Sequence, residues 1–278
     1  GDLSPERVRR FLAHIEERRR CGTRTRNQRL AAIHAFARFI AERAPEQIAW
    51  CSAIRAVPFK RFDRVPLCYL EKPEIDALIA APDPSRPIGR RDHALLLFLY
   101  NTGARASEAT SVTIGDLERR PDGTGSARLV GKGAKTRYCP LWPTTLTKLM
   151  TLAGQRAPGE RLFINQRAQP LTRYGVFAIV RRHAETVSAT LKSMRNKCIG
   201  PHTIRHTTAT HLLRAGVDIN TIRAWLGHVS IDTTNIYAEI DLEAKANMLA
   251  HCQSFQPLAA PKRRWKDDPK LMHFLESL

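Results

Sequence analysis

No apolar run in this chain approaches the length of a bilayer-spanning helix. The longest, Ala94 to Tyr100, falls far short of the roughly 20 residues required, and nothing resembles a secretory leader. A cytoplasmic protein with no membrane partner is therefore expected. The six cysteines, Cys21, Cys51, Cys68, Cys139, Cys198 and Cys252, form no CxxC pair and no cluster, which argues against a zinc ribbon or a small disulfide scaffold and for reduced, structural thiols. Acidic residues are also scarce. Only 26 Asp and Glu stand against 45 Lys and Arg, giving a formal net charge of +19. So large an excess points to a polyanionic partner, nucleic acid before a membrane surface or an acidic protein.

The 278 residues suffice for one large domain or two smaller ones, and their pattern favours two. Val8, Phe11, Leu12 and Ile15 recur at helical spacing behind Ser4-Pro5-Glu6, where Ser4 can cap and Pro5 suits the first helical position; this predicts a helix over 4–20. A second is predicted over 25–43, with Leu30, Ile33, Phe36, Ala37 and Ile40 as its apolar stripe, and a weak third lies around 46–53. Up to Arg64 this segment holds 15 Lys and Arg against 7 Asp and Glu, the profile of a helical module lying against a phosphate backbone. Prolines and basic residues then break the periodicity, placing a linker over about 57–67. Beyond it helices are predicted over 74–80 and 91–101, strands over 127–131 and 136–141 around a Gly131-Lys132-Gly133 turn, and helix almost without interruption from Tyr174 onward, with Pro201 opening one helix and Gly216 closing it. Leu271, Phe274, Leu275 and Leu278 form an amphipathic tail whose apolar face needs a partner surface.

Across the second part lie groups suited to a phosphodiester. Arg105 stands in Thr102-Gly-Ala-Arg-Ala-Ser-Glu108, Lys132 in Gly131-Lys-Gly-Ala-Lys-Thr-Arg137, His202 and Arg205 in His202-Thr-Ile-Arg-His206, His228 in Leu226-Gly-His228, and Tyr237 in Asn235-Ile-Tyr237. Two arginine forks can neutralise charge that builds on phosphoryl oxygens, and a mobile lysine between two glycines can deliver a proton. Other chemistries fit less well. His202, His206 and His211 suggest a metal site, but Thr203 holds the glutamate position of HExxH and no acidic or cysteine ligand is near, so His206 reads as a helix-packing residue. A phosphate-binding loop at Lys132 fails because Gly125 is six residues before Gly131 and Gly133 replaces the Ser or Thr.

In their order and separations these five stretches, spread over about residues 66–250, resemble the tyrosine recombinases, the phage-integrase and Xer-like enzymes that cut and rejoin DNA. The resemblance implies a mainly α fold with a small antiparallel sheet, arranged as a two-domain clamp: a helical core-binding domain (1–62), an α+β catalytic domain (67–255) and a tail (256–278) exchanged between protomers. It implies that Arg105 and Arg205 clamp the phosphate, Lys132 is the general acid, His202 accepts or positions a proton, His228 donates to the phosphate and Tyr237 is the nucleophile. Glu108 would orient Arg105 or the histidine, and Arg24, Arg26, Arg29, Lys60, Arg61, Lys135 and Arg137 would contact the DNA backbone. No metal or other cofactor is implied. The expected partner is double-stranded DNA, held by a homotetramer on two sites and so nucleoid-associated in the cytoplasm. The chain opens on Gly1, and fewer helices precede the linker than the family's four or so, so a shortened N-terminus is expected. Type IB topoisomerase-like relaxation and a catalytically inactive DNA-binding relative remain as alternatives.

Overall fold

A computed structural model describes residues 4–61 and 67–227, with Lys132 described in its backbone only. The expectations for His228, Tyr237 and the amphipathic tail lie outside the described residues, as does part of the linker. The chain divides into two compact units at Val65 and Pro66.

The first unit is helical: α1 (Pro5–Glu17), α2 (Thr23–Arg43), a 3₁₀ turn (Pro45–Gln47) and α3 (Ile48–Arg55). Ser4 caps α1 by accepting from the Arg7 amide at 3.2 Å, and Pro5 occupies the first turn. Val8, Leu12 and Ile15 of α1, Leu30 and Ala37 of α2, and Cys51 and Ile54 of α3 close with Val57 into one small core. The apolar stripes are narrower than their sequences suggest. Phe11 and Phe36, counted among them, are exposed.

The second unit is built on α5 (Pro87–Thr102), whose Leu95, Leu96, Phe98 and Leu99 are fully buried. Around it lie α4 (Lys72–Ala80), α6 (Ala106–Ser111), α7 (Pro143–Ala153), α8 (Arg173–Thr190), α9 (Pro201–Arg214) and α10 (Ile219–Leu226). A three-stranded antiparallel sheet runs in the order β1 (Leu117–Arg119), β2 (Gly125–Val130), β3 (Thr136–Leu141), with Leu117 opposite Ala127 and Val130 opposite Thr136. The connection after β2 is wider than a three-residue turn. Gly131 donates its amide to the Lys135 carbonyl at 2.8 Å around a 3₁₀ turn (Lys132–Ala134), in which Gly133 takes φ +74° and Ala134 φ +58°.

Helix does not run unbroken after Tyr174. Between α8 and α9 the chain makes a 3₁₀ turn (Lys192–Met194) and then extends through Gly200, as the residue before a proline must. Lys197 Nζ holds that segment to the rest of the unit, donating to the Tyr69 carbonyl at 3.1 Å and to Glu74 Oε2 at 2.5 Å. A buried carboxylate, Asp92 of α5, binds Arg91 and reaches across to Arg182 and His183 of α8.

Candidate active site

The site grows from the way α5 ends. Gly103 closes that helix in the left-handed region at φ +60°, and a Cβ there would lie 2.4 Å from a Leu226 methyl, so the chain turns tightly beneath the end of α10. Arg105 follows as the N-cap of α6. Its amide donates to Glu108 Oε2 at 2.9 Å and its Nη1 to Glu108 Oε1 at 2.7 Å, which holds one guanidinium nitrogen against its own helix. The guanidinium is also 3.5 Å from the Gly227 carbonyl.

Arg205 approaches the same place from α9. It is 3% exposed, and donates from Nη1 to the Gly103 carbonyl at 2.6 Å and from Nη2 to the Leu226 carbonyl at 2.5 Å. The two arginines thus meet the closing turn of α10, where unsatisfied carbonyls favour cations. His202 lies one turn before Arg205 and is exposed. Partial desolvation, then the charges of Arg205 and Arg105, hold its pKa below the ordinary histidine value, so its ring is neutral near pH 7 and able to accept a proton. His206 is half-buried, and desolvation followed by the charges of His202 and Arg205 lowers its pKa to about 4, in keeping with a packing role.

The hairpin reaches this cluster too. A Cβ on Gly131, the residue before Lys132, would lie 3.3 Å from Glu108 Oε1, and Gly227, the residue before His228, packs against the Arg137 guanidinium. Arg105, Glu108, His202, Arg205 and the backbone next to Lys132 and His228 are therefore brought to one locality. Glu108 is buried between Arg105 and Arg137; burial pushes its carboxyl up, but the hydrogen bonds from Arg137 and Arg105 and the Arg137 charge outweigh this and keep it below the usual range. No bond between Glu108 and a histidine is found among the described residues, so of its two expected partners the arginine is the one observed.

The expected DNA contacts divide by exposure. Arg24, Arg29, Lys60, Arg61 and Lys135 are exposed, with Lys60 also paired to Glu16 at 2.8 Å. Arg26 is instead 6% exposed and donates to Asn27 and to the Pro58 carbonyl at 2.9 Å. Arg137 turns inward to Glu108 and the Trp225 carbonyl. Both correct the expectation of a surface contact, and both had a signal in the sequence. Arg26 is in helical phase with Leu30 and Ala37, and Arg137 shares the inward face of β3 with Cys139 and Leu141. No group of three or more metal-ligating residues occurs among the described residues.

Residues 69–243 match the family model "Phage integrase family". The chain belongs to that family. Its members are tyrosine-type site-specific recombinases, as the names of relatives of this integrase agree. A Sinorhizobium fredii (strain NBRC 101917 / NGR234) protein provisionally named an integrase/recombinase, y4rC, is 40% identical over 96% of this chain and 80% of its own. Tyrosine recombinase XerC of Bacillus subtilis (strain 168) is 33% identical over 84% and 76%. Solved structures share the fold at lower identity. XerH recombinase bound to palindromic difH substrate, a post-cleavage complex, has a TM-score of 0.70 at 20% identity, covering 91% of this chain and 73% of that one. The Tn1549 transposon integrase in complex with a circular intermediate DNA gives 0.71 at 16%, covering 90% and 86%.

Proposed function

We propose that this integrase cleaves and rejoins double-stranded DNA through a 3′-phosphotyrosyl intermediate, using Arg105, Lys132, His202, Arg205, His228 and Tyr237. The Tyr237 phenol oxygen attacks the scissile phosphorus and its proton passes to neutral His202. The bond from phosphorus to the 5′ oxygen breaks, and Lys132 gives that oxygen a proton. Arg105, Arg205 and His228 neutralise charge on the phosphoryl oxygens as it accumulates, an effect greatest in a site closed to water. Because one phosphate ester replaces another, rejoining needs no separate energy source. Attack by the 5′ hydroxyl of a second duplex exchanges strands.

The observation that carries this reading is the meeting of Arg105 and Arg205 on the last turn of α10, one residue before His228. Such convergence of two guanidinium groups beside a neutral histidine suits a phosphodiester. In this reading the two units clamp duplex DNA, four protomers work on two sites with tails exchanged, and the protein resides on the nucleoid.

Trapping on nicked suicide duplexes carrying sequence from around the gene tests it, scored as SDS-resistant adduct in the presence of a metal chelator. Wild type should form the adduct and Tyr237→Phe should not. Adduct that survives Tyr237→Phe would displace the nucleophile. Binding without any adduct would favour the DNA-binding relative, and relaxation without strand exchange the topoisomerase-like activity.

A further inference from the structure

We propose that Arg137 is a positioning residue for the cleavage reaction, one guanidinium that joins the strand leaving the Lys132 turn to the Arg105–Glu108 pair and to the end of α10. The proposal rests on the recombinase reading above and deepens it.

Arg137 is ill placed for DNA. Its side chain is 10% exposed, its Nε donates to the Trp225 carbonyl at 2.8 Å, and its Nη2 donates to Glu108 Oε2 at 2.7 Å. The remaining nitrogen, Nη1, is 3.1 Å from where a Cβ on Gly227 would stand and 3.7 Å from one on Gly131. Gly227 takes φ +65°, so a side chain there would be strained and would also press on the guanidinium. The backbone residues preceding Lys132 and His228 therefore rest on the same planar group.

The division of Glu108 gives the arrangement its consequence. Oε1 receives Arg105 Nη1, while Oε2 receives Arg137 Nη2 and the Arg105 amide. With Oε2 taken, Glu108 grips the Arg105 side chain through one oxygen only, and apart from the long 3.5 Å contact of Nη2 with the Gly227 carbonyl the other donors of that fork stay available to a phosphate. Without Arg137, Oε2 keeps only the Arg105 amide and has room to take the Arg105 fork as well, drawing its guanidinium toward the protein. The Trp225 carbonyl, in the last turn of α10, would at the same time lose its strong donor and keep only the Cys139 thiol at 3.7 Å. Lysine cannot substitute, because a single ammonium lacks the planar fork that spans the carbonyl and the carboxylate together.

Arg137→Met and Arg137→Lys, each in the full chain, separate this role from phosphate contact. Positioning predicts duplex affinity and its salt dependence unchanged within about twofold, with adduct formation at saturating suicide duplex slowed about 100-fold, the scale of a 1 Å misplacement. Arg137→Lys, which keeps the charge but cannot reach the Glu108 carboxylate and the Trp225 carbonyl together, should cleave almost as slowly as Arg137→Met. A backbone contact predicts the reverse: weaker binding, a salt slope smaller by about one, and an unchanged rate at saturation. That result, or full activity in Arg137→Lys, would overturn the proposal. Amide hydrogen exchange on the same variants is independent of substrate. Faster exchange confined to residues 222–227 supports the brace, and unaltered exchange there sinks it. If wild type itself forms no adduct, the recombinase reading fails, while the exchange measurement still decides whether Arg137 holds α10.

Discussion

Among the described residues of this site, His202 is the group whose charge varies most readily with pH. Partial loss of solvent, and then the permanent charges of Arg205 and Arg105, favour the neutral ring, so its pKa lies below the ordinary 6.5. A proton acceptor works only when neutral, and a lowered pKa keeps it neutral down to lower pH. The kcat/KM for adduct formation, which reports the free protein, should therefore rise with pH along an acidic limb centred below 6.5 and then level. His202→Gln should remove that limb and lower the plateau about 100-fold, at the lower end of what general base catalysis contributes. A limb centred above 6.5 would deny His202 the role. The three-residue spacing of His202 and Arg205 was readable in the sequence, as was the helix-start pairing of Arg105 with Glu108. The inward course of Arg26 and Arg137 was not inferred, because an excess of positive charge says nothing about which face each charge occupies. Periodicity did contain that information. In a basic chain, an arginine in phase with the apolar residues of its own element is the one to exclude from a DNA interface.

Elements were most readable where capping and apolar period agreed, as in α1 with Ser4, Pro5 and its buried Val8, Leu12 and Ile15. The sheet was readable from β2 and β3 but not from β1, whose three residues are too few to alternate. Helix α7 escaped because its four threonines blur the apolar stripe that Leu146, Leu149 and Ala153 complete on burial. Sequence also could not show that α5 and α8 are joined by a charge. Asp92 is fully buried, and although desolvation pushes its carboxyl up, the His183 and Arg91 hydrogen bonds with the Arg91 and Arg182 charges hold it below the usual range. A depressed carboxylate stabilises the fold fully above the unfolded value of about 4, and that contribution is lost as pH falls through the folded pKa. Asp92→Ala leaves the Arg91 and Arg182 guanidinium groups and the His183 ring without this acceptor and should cost about 3 kcal/mol in urea unfolding at pH 7. Asp92→Asn should cost less and reduce the loss of stability in acid. A change under 1 kcal/mol for Asp92→Ala would mean that packing alone joins α5 to α8.

For the whole molecule, the charge of +19 needs sorting before it can be turned into a binding expectation. Some of that charge is internal: Arg26 is buried against Pro58, Arg137 is paired with Glu108, and Arg91 with Asp92. Such groups cannot displace counterions from DNA. Exposed Arg24, Arg29, Arg61 and Lys135 can, each neutralised phosphate steepening the dependence of log K on log salt by about 0.9. Duplex binding should therefore weaken steeply between 50 and 200 mM salt, roughly a thousandfold for six or more phosphate contacts. Single alanine substitutions at Arg24, Arg29 and Lys135 should each reduce the slope by about one if that side chain meets a phosphate, and should leave thermal stability within about 0.5 kcal/mol. Arg26→Ala should do the opposite, lowering stability by 1 to 3 kcal/mol, on the order expected for a buried carbonyl stripped of its donor, while the slope stays fixed. Fluorescence anisotropy across a salt series, paired with thermal unfolding of the same variants, separates the two classes. A salt slope that falls in Arg26→Ala but not in Arg29→Ala would mean that α2 unpacks to reach its ligand, and that the exposed arginines of the first unit are not its DNA surface.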